Sequence, residues 1–170
     1  MKKILMILMV MLMTLGVNAQ FTRARLQATG LTCAMCSNAI NKALLKLGCV
    51  ASVKPDIKNS AFDIEFRKGV EVDPDQIRKA VEDAGFFVGG FQLTGDFNQA
   101  SVGNDGVLKM GKDNFQFYPS TNQSPRGEKT VRFLNKGFVT AKEFKKYDAD
   151  TKAILLKKEL EGQHVYLVTI

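Results

Sequence analysis

The alternation of apolar and polar residues along the first half of the chain predicts a sheet of short strands. In two segments apolar side chains take every second position, which is the pattern of a half-buried strand. The second of them follows a polar turn, so it forms a hairpin with the strand before it, which Pro55 ends. The four strand-like segments are residues 21–28, 50–54, 61–66 and 86–93.

Two segments between these strands have helical spacing. In residues 37–47 a large apolar residue recurs every three or four positions, and polar residues take the other face. The second helix begins at Asp73, a favourable N-cap followed by Pro74 in the first helical position, and it closes at Gly85. The order is therefore strand, helix, strand, strand, helix, strand, the split βαβ order of a ferredoxin-like α+β fold.

The composition of the sequence changes after residue 95. Residues 96–105 are rich in Gly, Asn and Asp and are predicted to be a linker. Residues 138–147 and 150–160 fit a helix or a strand equally well. The remaining short apolar runs predict a small β-rich domain over residues 106–170, for which a barrel is one candidate architecture. These runs are residues 107–110, 115–118, 130–133 and 164–170.

The N-terminal residues have the pattern of a signal peptide. Lys2 and Lys3 precede an apolar run over residues 4–15, and residues 17–19 form a small-residue cleavage signal. The alternative is a membrane anchor, but the apolar run is short for a membrane span. We therefore expect cleavage after residue 19, a periplasmic or secreted protein, and no stable anchor afterwards.

Charge and composition exclude several classes of function. The formal net charge is +7, from 24 basic and 17 acidic residues. Such a mild excess, with acids spread through the chain, is typical of a solvated surface and not of a nucleic-acid-binding protein. No Ser/His/Asp set, phosphate-binding glycine loop or carboxylate pair stands out, so no enzyme is predicted. The single histidine, His164, is expected to be structural or solvated.

The three cysteines fall within residues 33–49. Cys33 and Cys36 lie between the first strand and the first helix, three positions apart, so their sulfurs can meet at one point. Two thiolates without a nearby histidine or carboxylate favour soft metals, Cu(I) above all. Cys49 follows the helix and is predicted to be a small buried apolar residue.

Residues 21–95 resemble the heavy-metal-associated domain of copper chaperones, copper-ATPase N-terminal modules and periplasmic mercury-binding proteins. The resemblance includes an acidic stretch that ends in Gly and an aromatic residue, at residues 82–86. One departure is Leu31 where the family has Met, a mild apolar exchange. The residues of the family's metal motif are Gly30, Thr32, Cys33 and Cys36.

The resemblance implies a division of the chain and a role for each site residue. Residues 1–19 would be the signal peptide, residues 20–95 the metal domain, 96–105 the linker and 106–170 a domain of unknown role. Cys33 and Cys36 would hold one Cu(I), with Hg(II) or Zn(II) as alternatives, and would pass it to a metal-transporting ATPase or another envelope metal-handling protein.

Three further residues belong to the implied metal loop. Thr32, where zinc-preferring or cadmium-preferring relatives often have Asp, favours a soft monovalent ion. Phe86 would shield the loop, and Met35 is expected at the surface.

Two alternatives share the same cysteine pair. One is a periplasmic Hg(II)-binding protein, which the same motif on an exported domain permits. The other is a thiol–disulfide redox module, which also uses two cysteines at a helix start. A thioredoxin-like site would have an aromatic residue before the first cysteine, where this chain has Thr32, and the chain contains no Trp.

Overall fold

The computed structural model describes most of the chain after the predicted signal peptide, which lies outside the described residues together with Thr32 and Cys33. The described ranges are 21–31, 34–98, 101–102, 107–110, 112–119, 125–147, 149–160 and 164–170.

The first half has the predicted order of strands and helices. Pro55 lies inside the second strand instead of ending it, and because this strand is at an edge of the sheet, the missing N–H costs no ladder bond. The first helix begins three residues earlier than predicted. The elements are β1 Phe21–Thr29, α1 Ala34–Leu45, β2 Val50–Asp56, β3 Ala61–Phe66, α2 Pro74–Asp83 and β4 Phe87–Asp96.

The second half contains short strands at the predicted apolar runs and two helices. The helices occupy the two segments whose pattern was ambiguous, and one two-residue strand falls within the predicted linker. The elements are β5 Ser101–Val102, β6 Val107–Met110, β7 Asp113–Phe117, β8 Glu128–Phe133, α3 Ala141–Lys145, α4 Ala149–Leu160 and β9 Val165–Thr169.

The strands of the described ranges form one open mixed sheet of nine strands, in the order β2-β3-β1-β4-β8-β9-β7-β6-β5. The barrel suggested for residues 106–170 is therefore wrong. Strand β8 pairs antiparallel with β4, from Gln92 opposite Arg132 to Asp96 opposite Glu128, so the second half extends the first sheet instead of closing on itself. Strands β7 and β9 are parallel. Within the described part of the chain, no helix is both long and apolar enough to span a membrane.

The two halves also share a hydrophobic core. The rings of Phe91 in β4 and Phe133 in β8 lie 5.1 Å apart, and those of Phe21 in β1 and Phe115 in β7 lie 5.8 Å apart. Phe97, just after β4, is only 1% exposed and belongs to the same cluster of buried residues. The division into two domains stays a prediction, but the packing couples the two regions energetically.

A second contact joins the start of α2 to the second half. The Asp75 carboxylate accepts a hydrogen bond of 2.8 Å from the Tyr166 hydroxyl and lies 2.7 Å from Nε2 of His164. Burial by itself would raise the pKa of Asp75, but the hydrogen bonds that it accepts outweigh burial and lower this pKa. Lys112 bonds the N-cap carboxylate of Asp73 at 3.1 Å. His164, which the sequence predicts to be structural or solvated, thus contacts Asp75 at the junction of the two halves.

Cleavage in the predicted linker should leave the two pieces of the chain associated. The pairing of β4 with β8 and the shared aromatic core continue to hold them after residues 96–105 are cut. Limited proteolysis followed by gel filtration without denaturant measures this, and elution of both fragments in one peak is expected. Separate elution of a folded fragment ending near residue 95 would show that the shared core contributes little.

Candidate metal site

The metal motif lies in the loop that joins β1 to α1. Strand β1 ends at Thr29, and Gly30 has a φ of +84°, a left-handed conformation that side-chain-bearing residues rarely adopt. Cys36 is half-buried in the first turn of α1. Cys33 lies outside the described residues. The start of a helix favours negative charge, which a pair of metal-binding thiolates would bring to this point.

The structure brings two other predicted site residues together beneath this loop. A Cβ atom placed on Gly30 would lie 4.0 Å from Cδ1 of Phe86, so the start of the loop lies close to the edge of the aromatic ring. Both Phe86 and Leu31 are partly buried and pack against the core. Phe86 follows the end of α2, where its N–H donates to the carbonyl oxygen of Val81 at 3.1 Å. Leu31 of the loop itself and Phe86 after α2 therefore connect the start of the loop to the hydrophobic core.

Met35 and Cys49 have the exposures that the sequence predicts, while Thr32 lies outside the described residues. Met35 is 82% exposed, as expected for a surface residue beside the thiols. Cys49 is buried, and burial raises the pKa of its thiol. Its carbonyl oxygen accepts from the N–H of Arg67, beyond the end of β3 that lies away from the motif. Among the described residues, no group of three or more His, Cys, Asp or Glu side chains could hold a metal.

A contact between the second half and the stem of the metal loop has no counterpart in the sequence predictions. A Cβ atom on Gly89 would lie 2.6 Å from Cγ2 of Thr29 and 3.5 Å from Cγ2 of Thr140. Thr140 is the N-cap of α3, where its hydroxyl accepts from the N–H of Glu143 at 3.1 Å. A glycine inside a strand often marks a place where another segment comes close, so Gly89 is the one residue in the sequence that indicates this contact.

Replacing Gly89 by alanine should destabilise the protein by roughly 1–3 kcal/mol, because the new methyl group overlaps Thr29 and overpacking carries costs of this order. Urea denaturation measures the loss. Gly48→Ala is the matched control, since nothing lies within 4 Å of a Cβ atom there. The double variant Thr29→Ala/Gly89→Ala should recover stability. Equal stability of Gly89→Ala and the natural chain would refute the close contact.

Comparisons with known proteins fit this geometry. Residues 25–87 match the family model of the heavy-metal-associated domain. No curated protein matches the chain. Through residues 25–87, which include Cys33 and Cys36, this chain belongs to the heavy-metal-associated domain family.

Several solved structures are similar to the first half of the chain. A copper-binding domain of the P-type ATPase HMA7 is 31% identical, covers 38% of this chain and 86% of its own length, and gives a TM-score of 0.35. The yeast copper transporter domain Ccc2a is 28% identical over 39% of this chain and 90% of its own, with a TM-score of 0.36. A putative copper-ion-binding protein from Bacillus anthracis is 28% identical. The match covers 42% of this chain and 97% of that protein, with a TM-score of 0.38.

Proposed function

We propose that this chain is an exported carrier that binds one Cu(I) ion through Cys33 and Cys36 and passes it to a partner protein. The observation that carries the proposal is the place of the cysteine pair within the family match. In the sequence, Cys33 falls between the end of β1 and the start of α1 and Cys36 falls in the first turn of α1, both inside residues 25–87.

The ligand chemistry argues for a soft ion. Thiolates are soft ligands, and hard-oxygen ligands are the ones that favour harder divalent ions. Thr32, before the first cysteine, supplies no carboxylate, so the site has no charged oxygen at that position. Cu(I) suits a site of two sulfurs, Hg(II) shares this preference, and Zn(II) usually takes four ligands.

The openness of the site argues for transfer. Met35, between the two cysteines in the sequence, lies in the first turn of α1 and is 82% exposed, so this turn of the helix faces solvent. An ion with two protein ligands at an exposed loop can accept a third sulfur from a second protein before it leaves the first. The expected partner is a metal-transporting ATPase or another metal-handling protein of the cell envelope, in keeping with the signal-peptide pattern of residues 1–19.

Competition against a chromophoric Cu(I) chelator tests this proposal. The purified reduced protein, handled without oxygen, should withdraw one Cu(I) per chain from the chelator. The double variant Cys33→Ser/Cys36→Ser should lose this tight site. Cys49→Ser, in which a buried thiol away from the motif is changed, should keep the stoichiometry and alter only stability.

Three outcomes discriminate among the metals and functions. Tight Cu(I) binding by the double variant would rule out the cysteine pair as the site. Retention of Hg(II) against a competing thiol, with Cu(I) lost to the chelator, would favour the mercury-binding alternative. Failure to hold either ion, combined with rapid disulfide exchange with a small thiol, would favour the redox module.

A further inference from the structure

Exposed apolar side chains gather at the metal-loop end of the described structure. Among its large apolar residues, four are at least two-thirds exposed: Met35 at 82%, Phe87 at 69%, and Ile57 and Ile170 at 68% each. Met35 lies in the metal motif itself. Apolar residues exposed at one end of a molecule mark a surface for contact with another molecule where they form a contiguous patch.

Backbone contacts place Phe87 and Ile57 at that same end. Phe87 opens β4 opposite Thr29, the last residue of β1, and its carbonyl oxygen accepts from the Thr29 hydroxyl at 3.3 Å. Ile57 begins the turn between β2 and β3. Ser60 of the same turn accepts at 2.9 Å from the N–H of Ala28, two residues before Gly30. Three of the four most exposed apolar side chains therefore lie around the metal loop.

Helix α3 of the second half reaches the same place. Its N-cap, Thr140, lies against Gly89 and next to Thr29 in the stem of the loop. The helix spans five residues, which is about 8 Å at the usual helical rise. The far end of α3 therefore lies about one Debye length from its N-cap at physiological salt, so the charges of α3 are only partly screened at the loop stem and act most strongly at low salt.

The charge that α3 presents is positive. Lys142, Lys145 and Lys146 are all exposed. The acid of this helix, Glu143, forms an ion pair with Arg132 of β8, which neutralises it and ties the helix to the sheet. The Nζ atom of Lys152 donates to the carbonyl oxygen of Lys145 at 3.2 Å, which adds a further positive charge at the end of α3. The helix is thus held in place with its lysines towards solvent.

We propose that the metal-loop end and α3 form one docking surface for an acidic face on the protein that receives the metal. Met35, Ile57 and Phe87 are its apolar centre, and Lys142, Lys145 and Lys146 are its basic rim. Apolar centres with charged rims are the usual anatomy of protein interfaces, and rim charges act mainly on the rate of encounter. This inference rests on the proposed carrier function and assigns the second half a part in choosing the partner.

An anionic lipid surface is the other occupant that basic residues attract. Helices that lie in a membrane interface insert an apolar face beside their basic face. In α3 the large apolar residue is Phe144, which is half-buried and packs its ring 5.6 Å from that of Tyr147. The helix therefore has no apolar face of its own to insert beside its lysines, which favours an acidic protein as the occupant, and the vesicle experiment below tests lipid directly.

Metal transfer to synthetic acceptor peptides tests the proposal. Each peptide carries one Cys-x-x-Cys pair, flanked by glutamates, serines or lysines. The Cu(I)-loaded chain should transfer fastest to the glutamate peptide and slowest to the lysine peptide, with about a tenfold difference at low salt that disappears at high salt. The variant Lys142→Glu/Lys145→Glu/Lys146→Glu should reverse this order.

A matched charge-reversal control separates the surface from overall charge. Lys68, Lys109 and Lys129 are also exposed. Lys129 pairs with Gly95 at the end of β4 remote from Thr29, Lys68 follows β3 at its remote end, and Lys109 lies in β6, far across the sheet. Lys68→Glu/Lys109→Glu/Lys129→Glu changes the net charge equally and should keep the order of rates of the natural chain.

The readouts distinguish failure of this inference from failure of the carrier function. Equal rates for the three peptides, or the same loss in both triple variants, would overturn the docking surface while copper binding stands. If the chain holds no copper, fluorescence anisotropy with the metal-free peptides still reads the preference for glutamate. Binding to phosphatidylglycerol vesicles that only the α3 variant loses, with no peptide preference, would assign the surface to lipid and refute the proposal.

Discussion

Replacing Phe133 by alanine should destabilise the whole chain by about 3–5 kcal/mol, the usual cost of truncating a fully buried phenylalanine. Phe133 has no exposed surface. Its ring centroid lies 5.0 Å from those of Phe138 and Tyr166, 5.1 Å from that of Phe91 and 6.2 Å from that of Phe115. Because these rings come from both halves, the cavity left by the truncation weakens the metal domain as well as the second half.

Urea denaturation followed by two probes measures this effect. Tyrosine fluorescence reports the second half, where all three tyrosines lie. Retention of Cu(I) reports the first half, and both signals should move together to lower urea. Phe87→Ala is the matched control, since its side chain is 69% exposed and exposed truncations usually cost less than about 0.5 kcal/mol. A tyrosine signal that shifts alone would show that the halves unfold independently.

Replacing Asp113 by asparagine should stabilise the protein near neutral pH. Asp113 begins β7 and is only 8% exposed. Burial raises the pKa of its carboxyl group to about 6. The positive charge of Lys112 opposes this rise, while the neighbouring carboxylates of Asp73 and Glu71 add to it, and His164 opposes it weakly. At neutral pH the folded chain therefore holds an ionised carboxylate in a place that favours the neutral form.

The direction of the pH dependence follows from the two pKa values. The carboxyl group of Asp113 ionises near 3.8 in the unfolded chain and near 6 in the folded one. Its protonated form therefore contributes stability below pH 3.8, and this contribution is lost as the pH rises through 6. The loss is about 3 kcal/mol at most, so the asparagine variant should gain up to this amount at neutral pH and little at low pH.

Urea denaturation at about pH 7.5 and about pH 4 tests this sign. The stabilising effect of Asp113→Asn should shrink at the lower pH. Asp150→Asn changes an exposed carboxylate in α4 and should leave stability nearly unchanged at both. Since hydrogen bonds lower the pKa values of Asp73 and Asp75, acid also weakens the α2 contact, and the comparison must be made against the natural chain at each pH. Destabilisation by Asp113→Asn at neutral pH would contradict the expectation.

The sequence was sufficient for the first half because its periodicity determines both the type and the buried face of each element. In β3 the alternating residues Phe62, Ile64 and Phe66 are all buried, as the pattern predicts. The N-cap of α2 was predictable from the sequence because Asp favours this position. In the structure the Asp73 side chain accepts from the N–H groups of Asp75 and Gln76.

The joining of the two halves could not be predicted in the same way. The backbone hydrogen bonds that pair β4 with β8 can be made by any residue except proline as donor. No side-chain pattern therefore identifies which strand pairs with an edge strand. Residues 141–145 and 149–160 are helical although charged residues interrupt their apolar spacing, and that interruption left both states open.

The motif predicts the candidate site, and the periodicity predicts the strand and the two helices of the first half around it, but no pattern predicts α3 beside them. Gly30 and Phe86 lie close together. The approach of Thr140 to Gly89 joins residues remote in sequence, and local spacing contains no information about such a pair. The assignment of Cys33 and Cys36 as metal ligands stays a prediction from the sequence, whereas the position of α3 is a finding of the structure.

The position of β9 has a consequence for how the chain acquires its structure. This strand follows all the other described strands in chain order, yet it lies between β8 and β7 in the sheet. Without residues 165–169, neither neighbour can complete its hydrogen bonds on that side. The contact order is high, because β1 also pairs with the distant β4, and such topologies fold slowly. A chain truncated before β9 would therefore expose unpaired edges of β7 and β8 to other chains.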